Sequence, residues 1–147
     1  MSRELHIVFK VDGVSYAMAG REVLHLESFA GATPVPGSKP FVAGIVQLRG
    51  RVLPVVDLRS RFGLQPAPPT ADARVVVVEA DGRTVALLAD SAREIVELGP
   101  ADIHPPPKII DAGSKHFVRG VGHAKDRMFL ILDTSKVVSE EGHVDDE

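Results

Sequence analysis

Cysteine and tryptophan are absent from this chain of 147 residues, and tyrosine occurs once. Without a thiol there is no disulfide framework, no thiolate nucleophile and no cysteine ligand for a metal. Aromatic residues make up 5% of the chain, too few to supply the stacking platforms on which single-strand nucleic-acid binders lay their bases. Neither sign of charge dominates: 17 Lys+Arg stand against 20 Asp+Glu, a formal net charge of −3. That balance leaves no basic footprint for nucleic acid or for an anionic membrane surface. No apolar run approaches the roughly 18 residues that a membrane helix needs. The N-terminus, "MSRELHIVFKVDG", enters a strand pattern directly, without the apolar core of a signal peptide. A cytoplasmic protein with no direct membrane insertion is expected.

Catalytic motifs are missing too. Histidines stand at 6, 25, 104, 116, 123 and 143; none has the i, i+4 spacing of a helical zinc pair. No serine lies in a G-x-S-x-G elbow, and "RGVGHAKDR" lacks both the P-loop ending and the three-glycine dinucleotide pattern. These absences predict a protein with no enzymatic activity, no metal and no cofactor.

What is present is a strongly patterned β sequence. "ELHIVFKVDGVSYAMAG" holds two β-rich runs joined by Asp12-Gly13, a hairpin signal because glycine takes positive φ cheaply. "REVLHLESF" reads as a strand with Val23, His25 and Glu27 on one face, or as a short helical turn leading into that strand. "GATPVPGSKPF" is a loop, since its prolines and glycines sustain neither ladder nor helix. Gly44–Leu48 and Val52–Val56 form a second hairpin turning at Arg49-Gly50-Arg51. Asp57 then caps a short helix, "LRSRFG", and the proline-rich "QPAPPTAD" is a connector. "ARVVVVEADGRTVALLADSAREIVEL" repeats strand, Asp-Gly turn, strand and a third extended run. "GPADIHPPPKIIDAGSK" reads as a long loop, Phe117 to Leu132 as a last strand pair, and "DTSKVVSEEG" as the start of a helix. About ten strands are expected.

The chain also repeats itself. With Phe41 placed over Phe117, Gly44 meets Gly120, Arg51 meets Arg127 and Asp57 meets Asp133 without a gap. "VFKVDGVSYAM" likewise echoes "VVEADGRTVAL". Each half reads hairpin, third strand, loop, hairpin, capped turn. About five strands close a small barrel, and a unit of some 70 residues is marginal alone. An all-β protein of two packed barrels follows, spanning approximately 1–66 and 67–138, with an acidic tail over 139–147. Exchange of strands between the barrels is left open by the pattern. Asp57 and Asp133, at equivalent places in the repeats, read as two caps rather than as a catalytic pair.

"TPVPGSKPFVAGIVQLRGRVLPVVDLRSRFG" closely resembles the signature of the CheW-like domain, the coupling adaptor of chemosensory arrays, and the likeness runs nearly end to end. The resemblance implies two intertwined five-stranded SH3-like barrels. It implies a signal-transduction scaffold that links the tip of a methyl-accepting chemoreceptor to the regulatory domain of a CheA-type histidine kinase. Carried over by position, it implies receptor binding at Val23, His25, Val46, Leu48, Arg49, Val85 and Leu87. It implies kinase binding at Pro40, Phe41, Gly44 and Ile45. For each apolar position, ordinary core packing stands as the competing reading. A specialised variant, binding the receptor but not the kinase or serving a pilus- or development-linked system, is the alternative. It arises because His25 stands where the family often has an acid able to pair with the motif arginine. Glu27 or Glu22 is expected to take over that pairing with Arg49.

Overall fold

Two-residue turns set the first level of structure. Asp12-Gly13, Arg49-Gly50, Asp81-Gly82 and Lys125-Asp126 carry φ between +51° and +79° at both positions. These are the angles of type I′ turns, whose twist matches that of the strands they join. The computed structural model describes residues 3–108 and 114–139, and in it these turns close four hairpins. They pair β1 (Glu4–Val11) with β2 (Val14–Ala19), and β4 (Val42–Leu48) with β5 (Arg51–Asp57). They also pair β6 (Arg74–Ala80) with β7 (Arg83–Ala89), and β10 (Val118–Ala124) with β11 (Arg127–Leu132). A single strand follows the first and third hairpins: β3 (Val23–Ser28) and β8 (Ser91–Leu98). The turn expected over Arg49-Gly50-Arg51 is one residue shorter, because Arg51 already pairs with Leu48. "REVLHLESF" contains both of the readings it offered, a 3-10 turn at Gly20–Glu22 and then β3.

Asp57 and Asp133 cap α1 (Leu58–Arg61) and α2 (Thr134–Val138). Their carboxylates accept the backbone N–H of Arg59 at 3.0 Å and of Lys136 at 3.2 Å, which satisfies donors a helix start leaves open. The stretch read as one long loop carries a short strand, β9 (Ile103–His104), between 3-10 turns at Pro100–Asp102 and Lys115–Phe117. Among the described residues there are thus eleven strands rather than about ten. The acidic tail beyond Ser139 lies outside the described residues.

The hairpins are exchanged between the two halves. One sheet runs β3-β6-β7-β5-β4 and the other β8-β1-β2-β11-β10-β9. Each half lends its first hairpin to the third strand and last hairpin of the other, so strands from both sides of residue 66 share each sheet. The two junctions match: β5 lies parallel to β7, and β11 parallel to β2. The repeat persists in single bonds, since Asp57 N–H donates to the Phe41 carbonyl and Asp133 N–H to that of Phe117, both at 2.8 Å. Strand pairing also slips at Gly44 and again at Gly120. Gly44 has φ +147°, and a Cβ there would overlap the Thr33 carbonyl, whose oxygen accepts from the Ile45 N–H. Gly120 is less confined, its Cβ position standing 3.2 Å from the His104 carbonyl oxygen.

Alternation along the strands divides the apolar side chains into three cores. Val75, Val77, Leu53, Val55 and Ala86 fill the first barrel. Val8, Ala17, Val96, Leu98, Phe129 and Ile131 fill the second. The opposite strand faces, with Phe9, Val11, Tyr16, Met18, Val76, Val78 and Leu87 among them, meet between the barrels in the largest core of all. Phe9, Tyr16, Phe62 and Phe117 follow one another there with ring centroids 6.1, 5.1 and 5.5 Å apart, within the range favoured by aromatic pairs. The Tyr16 hydroxyl donates to Ser114 Oγ at 2.9 Å, so its polar end is satisfied inside this core.

Arginines from α1 fasten the junction. Arg59 grips Asp90, between β7 and β8, through Nε at 3.0 Å and Nη2 at 2.8 Å, and Asp90 also accepts the Asp12 N–H at 2.8 Å from the β1–β2 turn. Burial pushes the Asp90 carboxyl up, but the Arg59 hydrogen bonds, the Asp12 amide and the Arg59 charge outweigh it and leave it below the usual aspartate range.

Two outcomes follow from this geometry. Gly44→Ala is expected to cost about 3 kcal/mol or more, from backbone strain plus an overlap with main chain, and Gly120→Ala about 1 kcal/mol. Urea unfolding midpoints check the difference, and equal losses would remove the special role of Gly44. For Asp90, a pKa held down in the folded state means stability that is present above the ordinary carboxyl value of about 3.9 and lost as pH falls below it. Asp90→Asn is therefore expected to flatten the acid limb of the stability–pH curve below about pH 4, read by thermal unfolding from neutral to acid pH.

Candidate functional site

The first barrel is not fully closed. β3 and β4 are the two edges of its sheet, and their only described backbone bridge to a neighbouring segment on the β4 side is Thr33 with Ile45. A groove of about 360 Å³ lies along this seam, with Phe29, Thr33, Ile45, Val46, Leu48 and Val52 on its walls. The tip of the β4–β5 hairpin reaches back across it. Arg49, held at φ +51° by the turn, donates from Nε to Glu27 Oε2 on β3 at 2.8 Å. Its side chain is 66% exposed.

His25 belongs to the same cluster. Its Nδ1, shielded from solvent, lies 2.8 Å from the Glu27 oxygen that Arg49 uses, off the line of a well-formed hydrogen bond. His25 and Glu27 stand opposite Val77 and Val75 of β6, so they share the inward face of β3. The Arg49 hydrogen bond holds the Glu27 carboxyl below the usual glutamate range, helped by the Arg49 charge and by His25. Of the two acids expected to replace the missing partner of Arg49, Glu27 does so. Glu22 instead accepts from Thr134 Oγ1 at 2.7 Å, tying the start of β3 to α2.

The outward face of β3 is apolar and open. Leu24 and Leu26 are 45% and 37% exposed. Leu26 stands opposite Val76, a member of the core between the barrels, so this pair carries that apolar face out to solvent. These two leucines were not singled out from the sequence. Their alternation with His25 and Glu27 was legible, but which face of an edge strand is left uncovered depends on the partner barrel.

The other expected receptor positions divide. Val46 and Leu48 line the seam groove beside Arg49. Val23 is half-buried against the core between the barrels. Val85 opens onto a second groove, of about 430 Å³, with Phe41, Pro54 and Val138. Leu87 corrects the expectation, for it has no exposed surface and packs wholly inside the core between the barrels. Leu87 lies mid-strand on β7, where both faces are covered, so its side chain has no surface to offer a partner.

The expected kinase positions divide likewise. Pro40 is exposed on the loop before β4, and Ile45 is 37% exposed on the seam. Gly44 is buried beneath Thr33. Phe41 lies under the Arg61 guanidinium, 4.0 Å from its ring centre.

Arg61 is the last of the four arginines in the motif, Arg49, Arg51, Arg59 and Arg61. It is almost wholly buried and donates from Nε to the Val137 carbonyl at 3.0 Å, and from Nη2 to those of Lys136 at 3.0 Å and Ser139 at 2.8 Å. A cation at the end of α2 satisfies carbonyls that the helix leaves open. The sequence pattern thus contains two kinds of arginine: Arg49 and Arg51 exposed at a hairpin tip, Arg59 and Arg61 holding the barrels together.

Comparison with known proteins agrees with this architecture. The CheW-like domain family model matches residues 6–142. The chain belongs to the CheW-like domain family. It is 33% identical over 139 residues to the chemotaxis protein CheW of Rhizobium meliloti, covering 95% of this chain and 89% of that one. It is 28% identical to the chemotaxis protein CheW of Bacillus subtilis, covering 94% and 88%. Among solved structures, the scaffolding protein TtCheW of Thermoanaerobacter tengcongensis superposes with a TM-score of 0.82 at 28% identity over 90% of each chain. None of the described helices is long and apolar enough to cross a membrane.

The two classes of arginine are separable by stability. Arg61→Ala is expected to cost about 2–4 kcal/mol, because it strips a buried charge from three carbonyls and two aromatic rings. Arg49→Ala should change stability by no more than about 0.5 kcal/mol, the usual range for an exposed pair. Chemical unfolding of both variants decides it, and a large loss for Arg49→Ala would make that residue part of the framework.

Proposed function

We propose that this chain is a non-catalytic coupling adaptor of a chemosensory system, working in the cytoplasm. One side holds the cytoplasmic tip of a methyl-accepting chemoreceptor, and another holds the regulatory domain of a CheA-type histidine kinase. Family membership supports the adaptor role, and the observation that carries the receptor site is the two-sided edge of β3. One face presents the Arg49–Glu27–His25 cluster and the other the exposed Leu24 and Leu26. A helical tip supplies what such an edge accepts, an apolar stripe with charged residues beside it. On this reading Val46 and Leu48 flank the arginine, and Val23 sits where the edge meets the core between the barrels. The kinase meets the exposed Pro40 and Ile45, with Phe41 and Gly44 shaping the backbone beneath them.

A variant that binds the receptor alone drew its support from His25 at the place of an acid. Glu27 supplies the negative charge to Arg49, and this favours the two-partner adaptor. Pull-downs with a purified receptor signalling fragment and a purified kinase regulatory domain test the reading, and binding to both is expected. Arg49→Glu is expected to weaken receptor binding about tenfold, as a reversed charge at a docking face does, with the melting temperature within a degree or two of the parent, as for exposed substitutions generally. Unchanged binding to both partners would move the receptor site away from this edge.

A further inference from the structure

Arg49 and His25 approach one oxygen atom. Arg49 Nε and His25 Nδ1 each lie 2.8 Å from Glu27 Oε2. An ionised carboxylate only accepts hydrogen bonds, so the form of the ring that suits this short contact is the one with a proton on Nδ1. While the ring is neutral, Arg49 is the one full positive charge on Glu27. A second proton turns His25 into another, no farther from Arg49 than the sum of those two short distances.

The two cations are not held alike. His25 is 18% exposed and Arg49 66%, so solvent screens the arginine more and the histidine less. Repulsion acts on both alike, but Arg49, exposed and tethered by Nε alone among the described residues, is the one free to move away. Among the described residues, Arg49 and His25 are the charged groups that act on Glu27. Val75 and Val77 face it from β6; Arg74, farther along that strand, donates to the Ala71 and Ala73 carbonyls; and Glu22 is taken by Thr134.

We propose that His25 and Arg49 compete for Glu27, so that protonating His25 releases the Arg49 guanidinium toward a carboxylate on the receptor tip and docking tightens as pH falls. The binding half of this inference rests on the receptor reading given above. The competition itself does not. A released guanidinium offers its two-pronged face, the geometry that a partner carboxylate binds best. Histidine is the side chain whose charge changes near neutrality.

NMR titration of the full chain reads the competition without any partner. The His25 ring is followed in the parent, in Glu27→Gln and in Arg49→Gln. The expected result is a His25 titration midpoint that falls in Glu27→Gln, where the attracting charge is gone, and rises in Arg49→Gln, where the competitor is gone. Midpoints identical in all three proteins would overturn the inference. Binding of the purified receptor signalling fragment is then measured at about pH 8 and about pH 6. The parent is expected to bind about two- to fivefold more tightly at the lower pH, the span of an exposed ion pair, and His25→Gln to lose that difference. Coupled midpoints with binding that ignores pH would overturn the release of Arg49 to the partner while the adaptor reading stands. Coupled midpoints with no binding at either pH would instead remove the adaptor reading.

Discussion

The largest body of buried apolar surface in this protein lies between its two barrels, and everything else is arranged around that fact. A strand in an ordinary sandwich buries one face, but β1, β2, β6 and β7 bury both: one inside a barrel and one against the other barrel. These are the four strands of the exchanged hairpins. Exchange puts them where they are covered twice, and neither barrel keeps a complete sheet if its partner is removed. At about 25 cal/mol per Å² of apolar surface taken from water, the shared interface outweighs what either small interior supplies alone. The polar fastenings follow the same line. Arg59 binds the turn of one hairpin and the end of the other, and Arg61 closes the last carbonyls of α2.

For an adaptor, that constraint has a mechanical meaning. Surfaces on the two barrels cannot swing independently, because the barrels share strands and a core. Partners held at different faces are therefore held at a fixed mutual orientation, and a scaffold transmits position only if it does not bend. The residues free to make contacts are those left over when this packing is complete. They lie at edges and turns, as with Leu24 and Leu26 on β3, Ile45 and Val52 along the seam, and Arg49 at a hairpin tip.

Much of this was legible in the sequence, and the boundary of legibility is physical. Turns and caps are local, so Asp12-Gly13, Asp81-Gly82, Asp57 and Asp133 announce themselves through residue types that suit positive φ or accept a helix's free N–H. The repeat was legible for the same reason, each half carrying the same local devices at the same spacing. The exchange of hairpins was not fixed, because a hairpin looks the same whether it pairs with its own half or the other. Leu87 was placed near a partner for a related reason: alternation shows which residues share a face but not what covers it. β9 escaped notice because two residues give no periodicity, and what identifies them is the strand they meet, Val121 and Gly122 of β10.

Arg49 joins these levels. A type I′ turn needs positive φ at its first position, and asparagine, aspartate or glycine serves there with less strain than arginine. The equivalent turn in the second barrel uses Lys125-Asp126 instead, so two long cations occupy strained positions at matching tips. At the first tip the cation bonds an acid across an open seam. There the bond to Glu27 joins the two edge strands of a sheet that backbone pairing leaves unclosed. The side chain that reaches across the seam is thus also an exposed cation. A partner that engages Arg49 acts on the closure of the first barrel as well as on its surface, because the same carboxylate serves both. His25 stands at that carboxylate, where its charge bears on both at once.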